Sequence, residues 1–460
     1  MGSSRQRSAT VREATGGARS AGRPPIHAAS AFVIRGGEVI DRLGRRRVDL
    51  RIDDGRVVEV APSIGPASGD AVVDARGSIV VPGLVDLQVH LREPGVGHVD
   101  SIETCVAAAA QGGVTALVAM PNTTPCIDTP ELVHHVHERA RAVGRCDVMS
   151  SAAMTVGRAG ERASDIEALH AAGVRLFTDD GSAVMSSAVV REVMERVSVL
   201  RGAYVGQHAE DESLVVGGHL NDGEVAARLG IKGRPAVAEE IVVARDLMLA
   251  MLTGARYHVL HASCAGTLEL VAAARARRVP VTIEVTPQHL SFTEQALASG
   301  DALYKMNPPL RTAADRQALR AGVADGSIDA IATDHAPHPD DRKAASLVDA
   351  APGMTGLETS LAVAITELVV PGLAALETVI AAMCWRPARI AGLDRWGHGG
   401  PIAVGAPANL AVVDPAESWQ VDPAGLATVS SNNPHRGRWL QGRVTHTFLR
   451  GRCTWSSRMP

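Results

Sequence analysis

Residues 85–91 read VDLQVHL, a short stretch dominated by apolar side chains. Similar runs recur as TALVAMPN (115–122), DVMSSAAM (147–154), VRLFTDD (174–180), YVGQHAED (204–211), YHVLHAS (257–263), VTIEVTP (281–287) and DAIATDHAPH (329–338), eight in all. Between most pairs lies an Ala-rich segment with helical spacing, such as ELVHHVHERARAV or LELVAAARARR. A continuous apolar run has no solvated face, so such strands belong in a parallel sheet covered on both sides by helices. Eight of them can close into a (β/α)8 barrel. An open doubly wound sheet is the other arrangement, but no glycine-rich phosphate loop follows the first run. The expected fold is α/β, a (β/α)8 TIM-like barrel over residues 84–399.

The flanks have a different texture. AFVIRGGEVI, RRVDLRIDDGRVVEV and AVVDARGSIVVPG are short strands broken by hairpin signals at Gly36-Gly37 and Asp54-Gly55. The pattern returns in ANLAVVDP and GRVTHTFLRGR. Residues 31–83 and 400–456 are therefore expected to form one small β-sandwich from both chain ends, with the barrel inserted between them. Residues 1–30, rich in Arg, Ser, Gly and Ala, read as a disordered arm without the apolar core of a signal peptide.

Hydrophobic residues make up 46% and charged residues 21%, the mix of a globular chain. The net charge of -4 argues against a general binder of nucleic acid or membrane surfaces. No stretch is long and uncharged enough to span a bilayer. Six cysteines are scattered without a CxxC pair, so reduced thiols in the cytoplasm are expected. Lys232, Lys305 and Lys343 are the only lysines among 46 basic residues.

Chemistry concentrates where the runs end. The first ends in Gln88, His90 and Arg92, the fourth in Asp179-Asp180, the fifth in His208, the sixth in His261, and the eighth in Asp334 and His338. In a closed barrel all strand C-termini meet at one rim. Histidines and carboxylates gathered there suit Zn²⁺ or a similar divalent ion. Alternation along a strand would put Gln88, His90 and Arg92 on one face, with Arg92 reaching outward for an anion. Singly, each residue has a plainer reading: a core histidine, turn chemistry at Asp180-Gly181, or a loop start at Asn122. His134, His135 and His137 fall on an expected helix and read as a solvated face. Residues 339–353, polar and then small, read equally as a lid or as an ordinary surface loop.

The segment VDLQVHLREPG resembles the dihydroorotase signature D-x-H-x-H-L-R-x-P-G. AMPNT, FTDDG, HAED, HASCAGT, EVTPQHL, KMNPPLR, ATDHAPH and APGMTGLET resemble further blocks of bacterial dihydroorotases, in the same order and over roughly residues 30 to 455. The resemblance implies a barrel with a flanking β domain and one or two Zn²⁺ ions. It implies that His90 ligates the first metal, that Asp180 rather than Asp179 bridges, and that His208 and His261 hold the second. Asp334 would ligate and act as catalytic acid/base. Arg92, Asn122, Asn307 and His338 would hold the substrate carboxylate, with Pro352 and Gly353 approaching through their backbone. Related hydantoinase-like and allantoinase-like enzymes bridge their metals with a carboxylated lysine. No lysine precedes Lys232 here, which favours the Asp-bridged class.

One position departs from the signature. Gln88 stands in place of its first histidine, and an amide oxygen is a poorer zinc donor than imidazole nitrogen. One firmly held Zn²⁺ is therefore expected, with the second weak or absent. Gln288, where the family often has histidine, is given no ligand role. The expected reaction is hydrolysis of the dihydroorotate ring amide by a metal-activated hydroxide, with Asp334 moving the proton. The expected partner is a small-molecule substrate. A homodimer and an association with aspartate transcarbamoylase stay open, as do two alternative readings: an inactive scaffold for that enzyme, or another cyclic amidase.

Overall fold

The computed structural model describes residues 31–95 and 100–457. The expected N-terminal arm, residues 1–30, lies outside them. The eight runs become eight parallel strands: Leu84–Val89, Val114–Ala119, Asp147–Ser150, Leu176–Phe177, Tyr204–Gln207, Tyr257–Val259, Val281–Val285 and Ala330–Ile331. Strands one to three form one hydrogen-bonded sheet and strands four to eight another. Single parallel bridges join their edges, Ala152 to Phe177 and Val89 to His335. At these seams Thr178 N donates to Ala152 O and His90 N to His335 O, both at 2.9 Å. The ring therefore closes, and its strand C-termini face one rim.

Small and branched side chains fill the strands. Leu87, Ala116, Val118, Met149 and Leu260 belong to one buried cluster, while Val89, Leu117, Val148 and Ile283 join the larger core shared with the helices. The helix Pro130–Val143 illustrates the outer layer: Pro130 opens it and Gly144, at φ 66°, ends it in a left-handed cap. Its buried residues Val133, Val136 and Ala140 follow helical spacing. That spacing corrects one expectation. His134 and His135 are exposed, but His137 turns inward, and its Nε2 accepts from Ser150 N at 3.1 Å.

The chain ends build two packed sheets. One runs Arg56–Ala61, Asp49–Asp53, Ala31–Arg35, Ala71–Asp74, and the other Arg452–Ser456, Trp439–Leu449, Leu410–Gln420, Ile79–Pro82, Glu38–Asp41, Gly44–Arg47. Phe32, Leu50 and Ile52 of the first meet Val80, Val412 and Phe448 of the second, with the Phe32 and Phe448 rings 5.1 Å apart edge to face. Asp54-Gly55 does join paired strands. Gly36-Gly37 does not: it carries the chain from one sheet to the other, and Gly36 N donates to Asp49 Oδ1 at 2.7 Å. The hairpin of that region turns instead at Arg42 and Leu43. Residues 422–438 also leave the sandwich. They reach the barrel rim, where Ser430 N donates to Asp100 Oδ2 at 3.0 Å and Asn432 Nδ2 to Ala336 O at 2.9 Å. Among the described residues, no helix is long and apolar enough to cross a membrane.

Candidate active site

The candidate metal-site residues lie at or just beyond the C-terminal ends of barrel strands. Gln88 is the next-to-last residue of strand one and His90 follows the strand. Asp180 comes three residues after strand four, His208 directly after strand five, His261 two residues after strand six and Asp334 three after strand eight. Ring closure brings them together although they span most of the barrel sequence. The backbone is strained here: of seven non-glycine residues with positive φ among the described residues, three are Arg92 (63°), His261 (32°) and Asp334 (47°). The turn at Arg92 breaks the strand alternation expected to align it with Gln88 and His90. Its side chain is placed instead by Nε donating to Pro337 O at 3.0 Å, with Nη2 3.3 Å from His338 Nε2.

Asp180 is the hub. Its Oδ1 lies 3.3 Å from His261 Nε2 and 3.9 Å from His208 Nδ1, and its Oδ2 lies 3.5 Å from His90 Nε2. His208 Nδ1 and His261 Nε2 face each other at 3.0 Å. Asp180, His208 and His261 thus form a buried group whose donor atoms all lie within 4.8 Å of one another. His90 carries the cluster on to Asp334, with Nε2 2.9 Å from Asp334 Oδ1 and Nδ1 2.8 Å from Asn122 Oδ1. Asp179 faces away, accepting from Thr155 N at 3.1 Å and from the Thr155 hydroxyl. Of two adjacent aspartates, only Asp180 joins the histidines.

The electrostatics favour a positive charge beside Asp180. Burial by itself would raise the Asp180 pKa, but the His261 hydrogen bond and the nearby His90, His261 and His208 hold it below the usual carboxylate range. Burial would likewise discharge His261, yet the bond to Asp180 and its charge keep the imidazole up at about 9. With Nδ1 donating to Asn122, His90 Nε2 would set a lone pair against the Asp334 carboxylate unless a proton or cation lay between them. Two imidazole nitrogens and a carboxylate oxygen are zinc-type donors, and tetrahedral ligation at about 2.0–2.1 Å would space them about 3.3 Å apart. The residues present therefore fit a divalent cation at Asp180, His208 and His261. Next to it, Gln88 is fully buried and donates from Nε2 to Asp180 Oδ1 at 3.1 Å, while its Oε1 has no partner.

The residues expected to bind substrate lie near this cluster. Asn307 Nδ2 lies 2.8 Å from His208 Nε2. His338 Nε2 lies 2.8 Å from Pro352 O, and burial and then Arg92 push its pKa down to about 3, so the ring is neutral. Gly353, at φ 138°, has no room for a side chain: a Cβ would come within 2.8 Å of His338 Nε2. Gln288 donates to Thr333 O at 2.9 Å. Sequence reasoning passed over Glu210, whose Oε2 is 3.6 Å from His208 Nε2 and accepts from Asn307 Nδ2 at 3.1 Å. Burial opposes its charge, but His208, Arg234 and Asn307 hold its pKa down at about 2. Its signal was its place two residues after His208 in one apolar run.

A closed (β/α)8 barrel with His and Asp donors at the C-terminal rim and a sandwich made by both chain ends is the architecture of an amidohydrolase. Solved structures agree. The chain superposes on the L-hydantoinase (dihydropyrimidinase) of Arthrobacter aurescens with TM-score 0.82 at 25% identity, covering 92% of this chain and 95% of that one. The dihydropyrimidinase of Brevibacillus agri gives 0.80 at 24%, covering 92% and 94%. Sequence narrows the class. Residues 77–266 match the family described as dihydro-orotase-like. A dihydroorotase of Streptomyces coelicolor is 46% identical over 92% of this chain and 98% of its own length. One of Mycobacterium tuberculosis is 45% identical over 89% and 95%. The chain belongs to the dihydroorotase family.

Proposed function

We propose that this protein is a zinc-dependent dihydroorotase, interconverting (S)-dihydroorotate and N-carbamoyl-L-aspartate in de novo pyrimidine synthesis. The observation that carries the proposal is the buried Asp180–His208–His261 group at the C-terminal rim of the barrel. A divalent cation held by these three would lower the pKa of water towards neutrality and polarise the ring carbonyl. His90 and Asp334 would serve the first metal position, which Gln88 leaves short of a ligand and therefore weaker. Asp334, set against His90 Nε2, takes the proton from the attacking water and delivers it to the departing ring nitrogen. Arg92 suits the substrate carboxylate because a planar guanidinium can bond it twice. Asn122, Asn307 and His338 hold the same group, and Pro352 and Gly353 approach the ring through their backbone. In the reverse direction the same groups close the ring.

The test is turnover of dihydroorotate before and after chelation, and again after Zn²⁺ is restored, with metal analysis and with hydantoin and allantoin as controls. Metal-dependent turnover of dihydroorotate supports the proposal. Turnover of hydantoin or allantoin alone refutes it. Gln88 favours one second reading, an inactive scaffold for aspartate transcarbamoylase. That reading requires a metal-free, inactive protein that co-sediments with that enzyme, and the same sedimentation run tests for a homodimer. The six cysteines are free thiols, and a cytoplasmic site of action is part of the proposal.

A further inference from the structure

The segment after barrel strand eight, expected to be a lid or a plain loop, contains a buried lysine. Lys343 sits at the end of the short helix Asp340–Lys343 and is only 8% exposed. Its ammonium donates to three backbone carbonyls: Lys305 O at 3.1 Å, Ala351 O at 3.1 Å and Gly353 O at 3.0 Å. Three N–H groups meet three acceptors, so the ammonium is fully satisfied. None of these partners is a carboxylate. This geometry needs lysine: one tetrahedral nitrogen can serve three converging carbonyls, whereas the planar fork of arginine cannot. In a chain with three lysines among 46 basic residues, the exception is informative.

The three carbonyls belong to the two segments that carry recognition groups. Lys305 is two residues before Asn307. Ala351 and Gly353 flank Pro352, whose carbonyl meets His338 Nε2 at 2.8 Å. Gly353 N also donates to Lys305 O at 2.9 Å, and Asn432 Nδ2 reaches Gly353 O at 3.2 Å. Lys305 ties the same loop from its other side, with Nζ donating to Val348 O at 2.9 Å.

We infer that Lys343 is a positioning residue for substrate recognition: its ammonium clamps residues 305–307 to residues 351–353 and so sets where Asn307, His338 and the Pro352–Gly353 backbone meet the substrate. The inference rests on the dihydroorotase reading. Lys343 bonds backbone carbonyls and none of the candidate metal donors, so its loss weakens ground-state and transition-state binding alike, and that appears in KM rather than kcat.

The experiment compares full-length wild type with Lys343→Met and Lys343→Arg. KM and kcat for dihydroorotate, metal content, and hydrogen exchange of the 344–353 amides are measured. Both variants are expected to raise KM about tenfold, which is about 1.4 kcal/mol, with kcat within about threefold and metal content unchanged. Exchange at 344–353 rises while that of Leu84–Val89 does not. A lowered kcat at unchanged KM would mean a role in stability alone and overturns the inference. So does unchanged exchange in either variant, which can be read even where activity is lost. If wild type does not turn over dihydroorotate, the functional reading fails, and the exchange data still decide whether the clamp exists.

Discussion

The side-chain amide of Gln88 donates to Asp180 Oδ1 at 3.1 Å, the same oxygen that lies 3.3 Å from His261 Nε2. Where the family signature places a zinc-binding imidazole, this chain has a donor that occupies the shared carboxylate. On the proposed reading, the amide would withhold a ligand from the first metal position and compete for an oxygen of the second. Gln88→His restores an imidazole and frees Asp180 Oδ1. Metal analysis should find about one ion per chain in wild type and a content rising towards two in the variant. Unchanged metal content together with an unchanged rate would falsify this account of Gln88.

Arg92 is held by Pro337 O and lies 3.3 Å from His338 Nε2, and it is not one of the Asp180–His208–His261 donors. Arg92→Ala should therefore spare metal content and damage substrate use. Charge-assisted hydrogen bonds contribute about 1.5–3 kcal/mol, so kcat/KM should fall about 10- to 100-fold. Wild-type turnover in this variant would remove Arg92 from the recognition site.

Asp334→Asn keeps the shape of the side chain and can still bond His90 Nε2, but it cannot take a proton from water. The proton-transfer contribution to rate is roughly 10²- to 10⁴-fold, and kcat should fall within that range. Zinc at Asp180, His208 and His261 should remain, since Asp334 is not among those donors. Loss of both metal and rate would recast Asp334 as a ligand first.

The barrel was legible because each strand is buried on both faces and so has a continuous apolar signal. Most of the candidate site was legible because strand closure forces run ends together, whatever their separation in sequence. What was not legible turns on partners. Asp179 and Asp180 end the same run, and while the resemblance points to Asp180, the run itself does not show that Thr155 holds Asp179 away from the histidines. Gly36-Gly37 announces a change of course but not a change of sheet. Lys343 bonds backbone carbonyls, which leave no mark in a residue pattern. Residues 422–438 leave the sandwich through loop contacts with Asp100 and Ala336, where neither strand nor helix periodicity applies.

Asp41 ties the two ends of the chain together and gives the sandwich an acid-sensitive joint. Its carboxylate accepts from Arg46 Nη1 at 2.8 Å, from Arg46 Nη2 at 2.9 Å and from Ile402 N at 2.7 Å. Burial would raise its pKa, but Arg46 and the Ile402 and Leu43 amides outweigh burial and hold it below the ordinary value. A carboxylate depressed in the folded state stabilises above its unfolded pKa of about 3.9, and that contribution is lost as pH falls through the lower folded value. Asp41→Asn should cost about 1–3 kcal/mol at pH 7, seen as a lower thermal unfolding midpoint. As pH falls below about 4, wild type loses the same contribution and the two midpoints should converge. A gap that persists unchanged at pH 3 would assign the effect to packing around residue 41 rather than to its charge.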